Sequence, residues 1–177
     1  VNEILLCRYL LDNTSDNKKK IKIIDNLLGK FKSTIFRQTM FAEFELFMHE
    51  HASEGNILTK DVLNDKYYEL NKLYYGTDVI VDEEIKYEWS RIPHFYYNYY
   101  VYQYATGFAA AVKIANQIYA GNEQMKKDYL EFLKLGATLN PIESLRVSNV
   151  DITSEEVIDD AISYMKELVE EIKKLSK

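Results

Sequence analysis

The sequence predicts an all-α fold, and three observations carry that expectation. Apolar residues recur at helical spacing over long runs, as at Phe36, Met40 and Phe47. Capping and stop residues bracket such runs: Thr59 and Asp61 open one that Gly76 ends, and Thr153-x-x-Glu156 has capping-box spacing ahead of the last one. Strand signal is confined to short β-rich connectors such as Ile80-Val81. At 177 residues and 47% hydrophobic, the chain can bury one sizeable core, and 1–177 reads as a single all-α region.

Taken in order, Val1 to about Leu11 is an apolar helix with no capping Ser, Thr or Asp ahead of it, closed by the polar cluster from Asp12 to Asn17. A start that is already helix interior reads as a cut within a longer helix. Ser15 or Asp16 can cap the next helix. From Lys18 to about Ser53 the periodicity is helical, as one long helix or as two divided near Gly29, a residue that costs about 1 kcal/mol relative to Ala in a helix interior. Gly55-Asn56 is a turn, and another helix runs from about Lys60 to Tyr75. Asp82-Glu83-Glu84 starts a helix with acidic residues in its first turn, as the helix dipole favours, and it ends near Arg91 ahead of Pro93. Trp89 on it is read as core. Gly121-Asn122 is a turn, Glu123 to Leu135 is a helix stopped by Gly136, Asn140-Pro141 opens a short segment to about Ser148, and an amphipathic helix runs on through Leu175.

The most unusual stretch begins at Ile92. It holds six of the fifteen tyrosines, Tyr96, Tyr97, Tyr99, Tyr100, Tyr102 and Tyr104. Past Pro93 there is no further proline and one glycine up to Val112, so a helix is expected from Phe95 onward. At about 100° per residue, Phe95, Tyr99, Tyr102, Thr106 and Ala109 then share one stripe, and Tyr97, Tyr104 and Phe108 another roughly opposite. Such a helix is aromatic on several sides and belongs at the centre of the fold or on the wall of a cleft. Its hydroxyls either point, with His94, into a cleft where they donate to a polar ligand or a developing oxyanion, or fill a core by reaching backbone carbonyls and water. Ala105, Gly107, Ala109, Ala110 and Ala111 would let a neighbouring helix come close.

Charge and composition exclude several classes. A net charge of −6 and a pI near 5.2 argue against nucleic acid, and the acidic residues are spread through amphipathic segments instead of a tail. No apolar run approaches the roughly 20 residues needed to cross a bilayer, and no stretch of these residues reads as a signal peptide. The single Cys7 excludes an internal disulfide and suits a reduced core residue in the cytoplasm. Glu43 lies in register with Phe36, Met40 and Phe47, which puts a carboxylate on an apolar face, where it needs a partner such as Arg37, Gln38 or a tyrosine hydroxyl of the aromatic helix. It would either orient a site or form a structural salt bridge. His49 and His51 do not make a zinc pair: that requires histidines four apart, and residues two apart on a helix point about 160° away from each other. No metal ligand set is assigned within the chain, and His94 is left as the histidine with a functional case.

The runs FRQTMFAEFE (Phe36 to Glu45), YYELNKLYYG (Tyr67 to Gly76), VDEEIKYEWSRIPHF (Val81 to Phe95) and PHFYYNYYVYQYATG (Pro93 to Gly107) resemble, in order, the C-terminal part of the oligoendopeptidase F family of thimet-oligopeptidase-like zinc metallopeptidases. The resemblance covers Val1 to about Val150. It implies a zinc enzyme that cleaves short peptides in a channel, whose HExxH helix carries two zinc ligands and the general base. That motif is not in this sequence, and the third-ligand glutamate would lie a few residues before Val1, so zinc is implied for the full-length enzyme and not for ligands in this chain. Glu3 matches the glutamate of the family's Asn-Glu-x-Leu-Leu run and is expected at most to support the metal site from behind. Glu43, from its register and not from the resemblance, is the other candidate for a supporting role, orienting the site. His94, Tyr99 and Tyr102 match the family's histidine and spaced tyrosines that bind the substrate backbone and the oxyanion, and Tyr97 is a weaker substrate-binding candidate. The loop between histidine and tyrosines is shorter than in thimet-type members, which leaves open which tyrosine meets the oxyanion.

The chain alone is therefore expected not to hydrolyse peptides. The alternative is a helical peptide-binding or scaffold domain that uses the tyrosine-lined groove without catalysis. Metal analysis of the purified chain should find no stoichiometric zinc, and one tightly held zinc per chain would refute the assignment of the ligands to residues elsewhere. Without the missing N-terminal part, the apolar faces of the first and aromatic helices should drive formation of a dimer or higher oligomer; a strictly monomeric species in light scattering at high concentration counts against this.

Overall fold

A computed structural model describes residues 1–176. The all-α expectation holds: the described residues form eight α-helices and no strand. They are α1 (Asn2–Asp12), α2 (Asn17–Lys30), α3 (Arg37–Ser53), α4 (Lys60–Tyr75), α5 (Tyr102–Tyr119), α6 (Glu123–Leu135), α7 (Pro141–Val147) and α8 (Glu156–Leu175). Contacts divide the chain into two compact units, one of Val1–Lys32 with Thr106–Lys177 and the other of Ser33–Ala105. None of the helices among the described residues is long and apolar enough to cross a membrane.

Local chemistry sets most helix starts. The Asp16 side chain accepts from the backbone N–H groups of Lys18 and Lys19 at the start of α2, Thr59 from Val62 at α4, Asn122 from Met125 at α6, and Asn140 from Glu143 at α7. Gly76 follows α4 with φ 74°, a backbone conformation open to glycine at little cost. The expected box at Thr153 does not form. Its hydroxyl donates instead to Asp151 at 2.6 Å, and Ser154 accepts from the Glu156 N–H at 3.3 Å where α8 begins.

In the first unit, α2 packs on α1 and α8, and α6 on α7. Ile24, Leu27, Phe31, Ala109, Val112, Ala115, Ala161 and Leu168 are buried in its core. Of the small residues of α5, Ala109, Ala110 and Ala115 are buried, Ala111 is half-buried and Gly107 is exposed, and the Phe108 ring meets Phe31 edge-on at 5.1 Å. Arg8 donates to Asn116 through Nε (3.1 Å) and Nη2 (2.6 Å) while its guanidinium lies over the rings of Tyr119 and Tyr164. Burial raises the Tyr164 phenol to about 12. Glu3 is paired with Lys30 at 2.6 Å on the exposed side of α1.

The second unit is built on α3 and α4. Between α2 and α3 the residues Phe31–Phe36 form a π-turn, so of the two alternatives for this run the division near Gly29 does not occur and α2 passes through that residue. The buried face of α3 is Met40, Phe41, Phe44 and Glu45; it packs with Leu63, Tyr67 and Leu70 of α4 and with Ile92 and Val101. This corrects the place of Glu43. That residue is exposed, and its carboxylate accepts the Tyr74 hydroxyl at 2.9 Å, which, with burial as the larger cause, raises the Tyr74 phenol to about 12. The physical reason is that α3 offers two apolar stripes, and Tyr67 and Leu70 of α4 cover the one carrying Phe41 and Phe44, which leaves Glu43 outside. Trp89, on a 3-10 helix spanning Glu83–Arg91, is half-buried against this core and its indole N–H donates to Asn64 at 2.9 Å.

Phe44 is fully buried and its ring sits 5.0 Å from Tyr67 and 5.3 Å from Phe95. Replacing it by Ala should remove about 3–5 kcal/mol of stability in denaturant unfolding, whereas a loss below about 1 kcal/mol would show that the cluster does not hold this unit together.

Candidate functional site

The aromatic run does not form the uninterrupted helix expected from Phe95. A short 3-10 turn spans Pro93–Tyr96, an irregular stretch comes after it, and α5 begins only at Tyr102. Asn98 and Tyr99 have φ of 51° and 59°, left-handed values that a right-handed helix excludes. Glu45 explains the interruption. This carboxylate is 1% exposed, and its Oε1 accepts the backbone N–H of Tyr99 at 2.6 Å. The N–H that a helix would turn to its own carbonyls is held by a side chain of α3. Oε2 of Glu45 is buried with no protein hydrogen-bond partner among the described residues.

Breaking the run re-sorts its tyrosines. The stripe that joined Tyr99 to Tyr102 requires a continuous helix, and that helix is absent. The His94 ring instead lies 5.7 Å from Tyr97, 5.9 Å from Tyr100 and 6.3 Å from Tyr104. Tyr104 donates its hydroxyl proton to the Tyr100 oxygen at 3.2 Å, a bond that raises the Tyr104 phenol above its ordinary value. Tyr99 turns elsewhere and stacks on His49 at 4.4 Å. Tyr102, at the first position of α5, is 51% exposed. The structure thus brings together His94 and Tyr97 of the predicted residues, adds Tyr100 and Tyr104, and sets Tyr99 beside His49, one of the two histidines excluded above as a zinc pair. Glu43 lies on the outer side of α3, and Glu3 is in the other unit.

A second feature was missed by sequence reasoning. Glu88 is a hub: Oε1 accepts from Nη2 of Arg37 at 2.7 Å and from Nη2 of Arg91, and Oε2 accepts the Tyr67 hydroxyl at 2.7 Å. Burial would raise the Glu88 carboxyl, but the bonds from Tyr67 and Arg37 outweigh it and hold the group below the usual carboxylate range. The same hub pushes the Tyr67 phenol up, burial being the larger cause. No local signal in the sequence joins these residues, because Arg37 and Glu88 are separated by 51 positions.

Chemically, the site offers donors. Phenol hydroxyls, exposed in part on Tyr97, Tyr99, Tyr100, Tyr102 and Tyr104, suit a peptide carbonyl or an oxygen on which negative charge develops. Among the described residues no three His, Cys, Asp or Glu are grouped to hold a metal ion.

Comparison with known proteins gives these residues a family. The chain is 48% identical to oligopeptidase PepF of Bacillus subtilis over 98% of its own length and 26% of that protein's. It is 46% identical to the group B oligopeptidase PepB of Streptococcus agalactiae, again over 98% of this chain and 29% of the relative. Among solved structures, oligoendopeptidase-F from Enterococcus faecium superposes with a TM-score of 0.93 at 45% identity, covering 96% of this chain and 33% of that one. A putative peptidase from Chlamydophila abortus superposes with a TM-score of 0.88 at 37% identity, covering 96% and 29%. The chain thus spans between a quarter and a third of these relatives. The sequence pattern of Peptidase family M3 matches residues 1–164, and the chain belongs to that family.

Proposed function

We propose that this chain supplies the C-terminal, substrate-binding wall of a zinc metalloendopeptidase that hydrolyses short oligopeptides. The observation that carries the reading is the half-buried His94 ringed by Tyr97, Tyr100 and Tyr104, in a chain whose M3 relatives are named oligopeptidases and oligoendopeptidases. The residues of the chain do not fit the zinc itself, since none are grouped as ligands among the described residues. Its ligands would come from the rest of the enzyme, and the part played here is confined to binding and charge stabilisation.

In that part, tyrosine hydroxyls and the His94 imidazole donate to the substrate backbone and to the carbonyl oxygen that gains charge as its bond is attacked. Donors held in place by neighbouring rings lose little freedom at that moment, which is what makes them effective. Tyr99 and Tyr102 keep the roles implied by their match to the family, and the ring contacts of Tyr100 and Tyr104 add them to the set to be tested. The Glu45 bond fixes the backbone from which Tyr99 projects. Glu43, bonded to Tyr74, and Glu3, paired with Lys30, support the helices that carry them and do not touch substrate in this reading. The chain alone, lacking the rest of the enzyme, does not cleave peptides.

The decisive experiment uses the upstream-extended protein on a quenched fluorescent oligopeptide, with and without chelator. Chelator-sensitive cleavage is expected to fall by about 10²-fold or more in Tyr102→Phe or in whichever of Tyr99→Phe, Tyr100→Phe and Tyr104→Phe removes the oxyanion donor, and also in His94→Ala. Cleavage untouched by all of these changes would return the tyrosines to a purely structural role.

A further inference from the structure

Beside His94 the second unit carries a pocket of about 430 Å³ whose lining includes Arg37, Gln38, Arg91, His94 and Tyr104, with Phe41 beneath. Each of these five polar side chains has a hydrogen-bond donor, and no Asp or Glu is among the described residues that line it. In a protein of net charge −6, a concave surface with two guanidiniums and no carboxylate is the reverse of the average. Glu88 meets both arginines through one oxygen, so the trio keeps a net positive charge.

The two arginines differ in a way that suits a binding site. Arg37 is anchored: its side chain is 28% exposed, bonded to Glu88, and its guanidinium lies 4.8 Å from the Phe41 ring centre. Arg91 has a side chain that is 73% exposed, on the last turn of its 3-10 helix and two residues before Pro93, and it lines the pocket. A planar guanidinium of this kind pairs with a carboxylate through two parallel bonds, and the fixed charge of Arg37 behind it adds to the attraction.

We infer that this pocket is a subsite for a carboxylate of the peptide substrate, either the free C-terminal α-carboxylate or the side-chain carboxylate of a final acidic residue, with Arg91 as the residue that contacts it. The inference rests on the peptidase reading for its substrate. His94 lines this pocket and also belongs to the ring cluster of the site, so a peptide end bound by Arg91 lies next to the donors that face the scissile carbonyl. The pocket would then favour short peptides, because a chain that extends further presents no terminal charge there.

The test compares three peptides of one sequence on the upstream-extended protein: free acid, C-terminal amide, and an amide with glutamate as last residue. The free acid should exceed the plain amide in kcat/KM by about tenfold or more, chiefly through KM, and Arg91→Gln should collapse that ratio toward one. Arg91→Lys, which keeps the charge and loses the fork, should restore part of it. Recovery of the rate with terminal glutamate shows that a side-chain carboxylate serves as well; no recovery assigns the subsite to the α-carboxylate. Equal rates for acid and amide in the unaltered protein, or a preference that survives Arg91→Gln, overturn the inference while leaving the peptidase reading intact. If none of the peptides is cleaved, the peptidase reading fails, and equilibrium binding of the same peptides decides: tighter binding of the acid that is lost in Arg91→Gln upholds the subsite, and equal binding removes it.

Discussion

A single bond organises the candidate site: the one from the Tyr99 backbone N–H to the buried Glu45 carboxylate. Two non-glycine residues in left-handed conformation cost about 1–2 kcal/mol each, which a run of good helical spacing would ordinarily avoid. A buried hydrogen bond contributes about 0.5–1.5 kcal/mol, and seating Val101, which is 1% exposed, in the core adds about 1.5–3 kcal/mol. The two sides are comparable, with the balance tipped by the carboxylate, which cannot remain buried without a donor. The delayed start of α5, the turn of Tyr99 toward His49, and the gathering of Tyr97, Tyr100 and Tyr104 around His94 all result from that choice.

Glu88 does for the neighbouring segment what Glu45 does for the aromatic one. Its carboxylate ties α3 through Arg37, α4 through Tyr67, and the 3-10 helix through Arg91. A buried carboxylate with this many donors stays ionised, and its neighbours stay put. The two acids divide the work: one sets the path of the backbone, the other the position of two guanidiniums.

The sequence was legible where the information is local. Asp16, Thr59 and Asn140 cap helices as their types predict, and the bounds of α4, α6 and α7 agree with the expected ones to about a residue. The family resemblance likewise holds, because its motifs are contiguous runs. What failed were the inferences about the tyrosine run and Glu43, which needed a distant partner. Glu45 lies 54 residues from Tyr99, so nothing within the tyrosine run announced that its helix would be interrupted, and the stripe drawn through Tyr99 and Tyr102 fell with it. The stripe through Glu43 was a valid helical face that lost to the neighbouring one because Tyr67 and Leu70 of α4 cover Phe41 and Phe44. Thr153 failed for a nearer reason, since Asp151 competes for the same hydroxyl. The ring contacts of His94 with Tyr100 and Tyr104 likewise needed the true backbone path.

The place of Trp89 has a spectroscopic consequence. It is the one tryptophan in the sequence, and it sits in the Ser33–Ala105 unit with its indole N–H held by Asn64 and its ring 6.5 Å from Phe44. Indole emission, excited where tyrosine does not absorb, therefore comes from that unit alone, while helical circular dichroism sums over both. The protein carries its own pair of optical probes, and coincidence or separation of their unfolding curves is a direct reading of whether its two halves lose their structure as one cooperative body.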